Sequence, residues 1–511
     1  MTSIRTGLIA AAMAAIAFAM VPARCIAAEP NVLTVGNPFS PLSMDPARSG
    51  NGRAGTHLMP AYEPLVRVRP DGTFVPALAV AWELSADSMS ATFTLRRDAR
   101  FSDGEPVTAD AARQSIDYWR HANGPFAVNL RNVVGIDVLD RFRFRVRLSS
   151  PNPALINLFE TYWLSGDLIS PRALKDPASL RTATAGAGPY KLDTAASVTG
   201  KSYTYVPNEF YYDKRRVRWD RIVLTVFEDQ NSAIQALKAG QVELLVSDPL
   251  TAHANESRLG SHIRIVSDPA QWVGLVLNDR DGVANPSLKD VRVRQAINYA
   301  LDRPLIARAF FGSLAQPTDQ LQGPGFAGHD EANEARYPFD PAKARALLTA
   351  AGHGSDVELH LAYLNSTLNA LLAQVVVAEL RKVGIHVSTH EYQNYGALNF
   401  AAKMRAFDAV LSGSNSGVPN IAHFQTLDPE GSLNYYHSLD AGLNALLSTA
   451  ASLPLNASEQ AWKNVYARVV DLAWFAPLVA SDIVYLASDQ VELPRPGLAV
   501  VIDLINVVPR K

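Results

Sequence analysis

Cysteine is almost absent from this chain: Cys25 is the single one among 511 residues. A charge excess is absent as well, with 47 Lys+Arg against 49 Asp+Glu and a formal net charge of −2. Long apolar runs are missing beyond the N-terminal region. Each absence excludes something. Without paired cysteines there are no disulfide staples, and stability has to come from a large buried core. A near-neutral balance gives no sign of the basic face that nucleic-acid binding requires. No later stretch approaches the roughly 20 apolar residues of a membrane-spanning helix. Catalytic wording is missing too: there is no G-x-S-x-G, no H-E-x-x-H and no phosphate-cradling P-loop. The 11 histidines are scattered. His386 and His390 sit four apart, but on a strand pattern rather than on the helix face that a zinc pair uses. The expectation is a protein that is not an enzyme, with no cofactor and no metal site.

The N-terminus carries what the rest lacks. Arg5 precedes a short apolar run over residues 7–21, Pro22 breaks it, and Ala27 and Ala28 offer small residues for cleavage. Residues 1–28 are therefore expected to be a signal peptide, with Cys25 discarded and the mature chain periplasmic. The remaining length exceeds what one core usually supports, so two or more domains are expected.

Residues 289–311, KDVRVRQAINYALDRPLIARAFF, form the clearest local pattern. Val293, Ala296, Ile297, Ala300 and Leu301 fall on one helical stripe. Asp290 can cap the start, and Asp302 can cap a second helix that accepts Pro304 in its first turn. Arg292, Arg294 and Gln295 lie off the stripe, as a solvated or structural face. Upstream, residues 37–55 read as a loop and residues 91–96 as a half-buried strand, with Thr108 capping a helix to about Trp119. Arg141, Arg143, Arg145 and Arg147 alternate with apolar residues, as on a solvated strand face; an anion patch is the alternative. A strand at 222–227, a helix capped by Asp229 and a strand at 242–246 make a first α/β unit. Residues 272–277 read as an apolar strand. From about 357 to 411, strands and helices alternate as in a mostly parallel sheet, with a return strand at 483–486.

Several of these stretches resemble the family 5 extracellular solute-binding proteins, the dipeptide/oligopeptide-binding group of ABC importers. They are YEPLVRVRPDGTFVPALAVA at 62–81, FTLRRDARFSDGEPVTAD at 93–110 and GAGPY at 186–190, with Ala187 where the family has Thr. They continue with DVRVRQAINYALDR at 290–303, DPAKARALLTAAG at 340–352 and LRKVGIHV at 380–387. The matches are collinear over nearly the whole mature chain. The resemblance implies an α/β, two-lobed periplasmic-binding-protein fold (type II, cluster C-like), with an extra β-rich subdomain in lobe I and a hinge between the lobes. Lobe I would comprise 29–269 and 477–511, including the extra subdomain at about 50–185; lobe II would comprise 270–476. The chain would cross near residues 269–273 and return near 476–479. It implies capture of a small solute between the lobes and delivery to an ABC permease in the inner membrane, by a monomer that binds no nucleic acid.

The ligand is less determined. In peptide-binding relatives the segment after the strand at 406–411 commonly carries Trp and an Asp that pairs with the peptide amine. Here residues 412–420 read SGSNSGVPN, with no acid before Asp428. A buried ammonium without a carboxylate is costly. Small polar side chains suit a hydroxylated or neutral ligand. An oligopeptide-like ligand is favoured, with a sugar, an opine or a chelated metal such as nickel as alternatives. Candidate ligand-binding residues are Trp272, by stacking, and Asn415, Ser416, Asn420 and Asn434, by hydrogen bonding. A secreted hydrolase and a ligand-presenting sensor partner are the competing classes.

Overall fold

Two long strands organise the molecule, and both exceed what the sequence pattern suggests. The strand expected at 272–277 begins at Ile263 and runs as Ile263–Leu277, while the expected return strand at 483–486 extends over Phe475–Ser488. The first strand passes through Ser267-Asp268-Pro269, with a break in register between Pro269 and Gln271. Pro lacks an N–H, so an irregularity of this kind is where a strand accepts one. The computed structural model describes residues 31–49, 55–69, 73–124, 126–160, 162–415, 417–494, 501 and 503–510. The expected signal segment with Cys25, the Asp71-Gly72 turn and Ser416 lie outside the described residues.

The two long strands pair antiparallel at the middle of an 11-stranded sheet. On one side Phe475–Ser488 pairs with Leu244–Ser247, followed by Val32–Asn37, Arg221–Val226, Ser202–Pro207 and Tyr190–Leu192. On the other, Ile263–Leu277 pairs with Ala409–Asn415, followed by Val357–Leu364 and Ile385–Tyr392. Val32–Asn37 is parallel to both of its neighbours, and Val357–Leu364 is parallel to both of its own. Two parallel α/β lobes are thus joined by two antiparallel strands, in a mixed sheet covered by helices. Lobe I also carries a separate antiparallel sheet of four strands, Ala79–Leu84, Ser90–Leu95, Arg143–Leu148 and Val133–Asp140. The helix Ala109–His121, capped by Thr108, packs on it through the buried Ile116 and Trp119. Arg143, Arg145 and Arg147 occupy the exposed face of their strand, and Arg143 and Arg147 pair with Asp140 and Asp137.

The helix pair at 289–311 forms as Val291–Tyr299 and Arg303–Phe310. Asp290 accepts from Arg292 N and Asp302 from Leu305 N. All five stripe residues are buried. Arg294 is buried as well: its guanidinium donates to the carbonyls of Leu288, Lys289 and Leu472. It is a scaffold group rather than a solvated one. Gly188 shows why the GAGPY turn needs glycine, since an added Cβ would stand 2.4 Å from the Ala61 carbonyl carbon. Among the described residues, no helix is long and apolar enough to cross a membrane.

Candidate functional site

The seam between the lobes is where the long strands change partners, and residues 409–428 dominate its lobe II side. The described part of the segment 412–420 divides between a strand and a helix. Ala409–Asn415 continues as a strand through Ser412 and Gly413, pairing with Gln271–Leu277, and Pro419–Thr426 is a helix with Pro in its first turn. Small residues permit this: Gly413 sits so close to Trp272 that an added Cβ would meet its carbonyl oxygen at 2.4 Å.

Lobe I meets this segment directly. Tyr162 Oη accepts a hydrogen bond from Asn415 Nδ2. Arg131 crosses to Asp428, with Nη1 donating to Oδ1 at 2.9 Å and Nη2 to Oδ2. The same guanidinium stands 4.9 Å from the Phe424 ring centre, a cation–π distance. Ile421, fully buried, joins the apolar cluster of lobe I. Burial pushes the Asp428 carboxyl up, but the Arg131 hydrogen bonds and the Glu430 N–H outweigh it and hold it below the usual carboxylate range. On the lobe I side, Phe126, Tyr162 and Trp163 form an aromatic trio with ring centres 4.9 to 6.5 Å apart. Glu160 is buried beside them and accepts from Tyr162 N at 2.8 Å. Burial pushes its carboxyl up to about 7, against the N–H groups of Tyr162 and Trp163.

The structure scatters the candidate residues. Trp272 is 1% exposed and meets Phe475 edge-on at 5.5 Å, within a lobe II core cluster. Asn415 is at the seam, engaged with Tyr162. Asn420 is buried; its Oδ1 accepts from Trp462 Nε1 at 3.1 Å and its Nδ2 donates to Ala451 O at 3.4 Å. Asn434 is buried, accepting from Arg280 Nη1 at 3.2 Å and from Ser438 N at 3.0 Å, and donating to the carbonyls of Asp428 and Ser438. Of the five candidates, Asn415 alone reaches across the seam among the described residues. Sequence reasoning missed Arg131, Glu160, Tyr162 and Phe424. Only the aromatic pair Tyr162-Trp163 carried a local signal, and its partner Asn415 lies 253 residues away. Among the described residues, no group of three or more His, Cys, Asp or Glu side chains is arranged to hold a metal ion.

Comparison with known proteins gives a consistent result. A family model described as bacterial extracellular solute-binding proteins, family 5 middle, matches residues 73–427. The nickel-binding periplasmic protein of Escherichia coli (strain K12) is 28% identical over 392 residues, which is 71% of each chain. Di/tripeptide-binding protein 2 of Pseudomonas aeruginosa (strain UCBPP-PA14) is 26% identical over 422 residues, 76% of each chain. Among solved structures, AgaA of A. tumefaciens R10 in complex with agropinic acid superposes with a TM-score of 0.82 at 22% identity, covering 94% of this chain and 99% of that one. DppA of Helicobacter pylori in complex with the peptide STSA superposes with a TM-score of 0.81 at 20% identity, covering 94% and 98%. Both likenesses are of fold.

Proposed function

The chain belongs to the bacterial extracellular solute-binding proteins of family 5, and we propose from this premise that it is the periplasmic solute-capturing component of an ABC import system. It closes two lobes on a small solute and presents the closed form to an inner-membrane permease, catalysing no reaction. We take lobe I as residues 29–269 and 477–511 and lobe II as residues 270–476. The register break at Pro269/Gln271 supports the first boundary. The observation that carries the reading is the seam itself. The large sheet joins the lobes through its two long strands and through Ala315–Pro317, which pairs with residues 479–481, while Arg131–Asp428 and Tyr162–Asn415 add side-chain links across the seam. Hinge closure on a ligand needs such an arrangement.

The favoured ligand is oligopeptide-like, in keeping with the names of the peptide-binding relatives. A second reading, an opine or a metal chelate, has a specific observation behind it. Asp428, the acid nearest the expected amine position in sequence, is already paired with Arg131. A melting screen against di- to tetrapeptides, opines and nickel–histidine separates the two. A true ligand at about 100 times its Kd stabilises by about 2.7 kcal/mol, a clear upward shift. Peptides are expected to give the largest shift; shifts from opines or chelates alone would replace the peptide reading with the second.

A further inference from the structure

The helix Pro419–Thr426 is enclosed on all sides: every residue in it except Gln425 is buried. A helix of that kind has packing partners all round, and here they come from both lobes. On one side it is anchored in lobe II. Asn420 Oδ1 accepts from Trp462 Nε1, the His423 ring stands 5.5 Å from that of Trp462, and Leu427 joins the lobe II cluster that holds Trp272 and Trp462. On the other side Val418, Ile421, Phe424 and Asp428 follow at intervals of three and four residues, which aligns them along one face. That face meets lobe I. Ile421 is fully buried, and among the described residues it is the one member of lobe II in the buried apolar cluster of lobe I; Val418 packs against the same cluster. Phe424 lies beneath the Arg131 guanidinium, and Asp428 accepts from it. The helix rests on Ala127–Leu130 of lobe I.

The two faces differ in chemistry. Asn420 and His423 are turned to lobe II, where hinge motion does not separate them from Trp462. Val418, Ile421 and Phe424 are turned across the seam. Parting the lobes puts these three side chains, and the lobe I surface they cover, into water, and the free energy rises with the apolar area exposed. The Arg131–Asp428 and Tyr162–Asn415 links are lost in the same step.

We propose that Pro419–Thr426 is a two-faced key, fixed in lobe II and seated in lobe I through Ile421, that holds the lobes together before any solute arrives. The ligand-free protein is then mainly closed, and solute enters through a minor open population. This rests on the hinge reading above and deepens it: closure is supplied by the protein's own apolar contact, and the solute's contacts prolong it. The open fraction slows association and weakens the apparent affinity in proportion.

The test needs no knowledge of the ligand. The full mature chain is unfolded and refolded to strip bound solute, and small-angle X-ray scattering and amide hydrogen exchange are recorded for the parent, I421S and I421V. The expected parent curve is that calculated from this structure, with the amides of 127–131 and 419–428 protected. I421S should shift to a larger radius of gyration, and those amides should exchange about tenfold faster or more. The helix Val291–Tyr299 should keep its protection, melting should stay cooperative, and I421V should remain closed. A refolded parent more extended than this structure would overturn the key and leave solute capture standing, since closure would then need the solute. Parent-like scattering and exchange in I421S would overturn it as well. Should I421S not melt cooperatively, V418S takes its place with the same two outcomes. If the combined I421S and D428N variant also stays closed, the lobes are not mobile bodies, and the import reading falls with the key.

Discussion

Each lobe buries charge, and the two answer it differently. Lobe II buries arginines and answers every one. Arg280 donates to the carbonyls of Leu277 and Trp474 and to Asn434 Oδ1, with Trp474 and Phe475 rings at 4.3 and 5.1 Å. Arg303 donates to Pro477 O at 2.6 Å, to Asn298 O and Tyr337 O, and to Asn298 Oδ1, with Asp319 2.9 Å from its Nε as a counter-charge. Both lobes bury carboxylates; those of lobe II, Asp279, Asp319, Asp408 and Glu379, each accept a backbone N–H, whereas Asp167 in lobe I has no donor. A planar guanidinium with five donors can be resolvated by backbone carbonyls. A carboxylate needs N–H or O–H groups aimed at it, and here they are missing.

The largest break in this contrast should come from the satisfied side. Arg303→Met removes a cation whose hydrogen bonds tie Asn298, Tyr337 and Pro477 together, and it leaves Asp319 buried without its counter-charge. Loss of one partner of a buried, hydrogen-bonded pair costs about 3–5 kcal/mol. The urea midpoint should fall accordingly. A loss below about 1 kcal/mol would show that the network is not the support it is taken to be.

Glu160→Gln should act with the opposite sign. The Glu160 carboxyl is raised from 4.5 to about 7, so the folded state holds its proton more tightly than the unfolded state does. Its contribution is complete below the unfolded value and is lost as pH rises towards 7, so stability falls with pH across that window. A shift of this size corresponds to about 3 kcal/mol. The variant should be more stable than the parent at pH 8, level with it near pH 4, and flatter in between, as read from melting across pH. A parallel fall in parent and variant would remove Glu160 from this account.

How far the sequence reached follows the same division between local and distant causes. Thr108, Asp229, Asp290 and Asp302 each cap the helix expected of them, because a cap involves neighbours two or three residues away. The parallel order of lobe II followed from alternating strands and helices. The long strands were legible only in part, because the apolar pattern marks 272–277 and 483–486 while antiparallel pairing of Ile263–Leu277 on Phe475–Ser488 extends both. Asn420 and Asn434 suited ligand hydrogen bonds by residue type, yet their amides meet Trp462 and Arg280, which no spacing in the sequence reveals. Arg131 and Asp428 lie 297 residues apart. Seam contacts of that kind depend on how two lobes meet, and neither segment contains that information alone.

That last pair lies between the two regimes, a cation from one lobe answering an acid from the other, and its expected effect is the smallest. Its side chains are 34% and 14% exposed, so water screens the charges and the pair is worth about 1 kcal/mol or less. What distinguishes it is placement: the bond exists only when the lobes are together. Asp428→Asn should therefore leave each lobe's core unaffected and raise the free energy of the closed form alone. Solute dissociation should quicken about threefold to tenfold while the ligand-free melting temperature holds. Arg131→Gln should do the same, and the double variant should match either single one, since the shared interaction can be lost only once. Asp428 is held below the ordinary carboxylate range, so its contribution is present above that range and is lost as pH falls through the depressed value. Between pH 6 and 8 the effect of D428N should be constant, whereas that of E160Q should change. Additive losses in the double variant would mean that Arg131 and Asp428 act on separate partners, and the seam would then need another clasp.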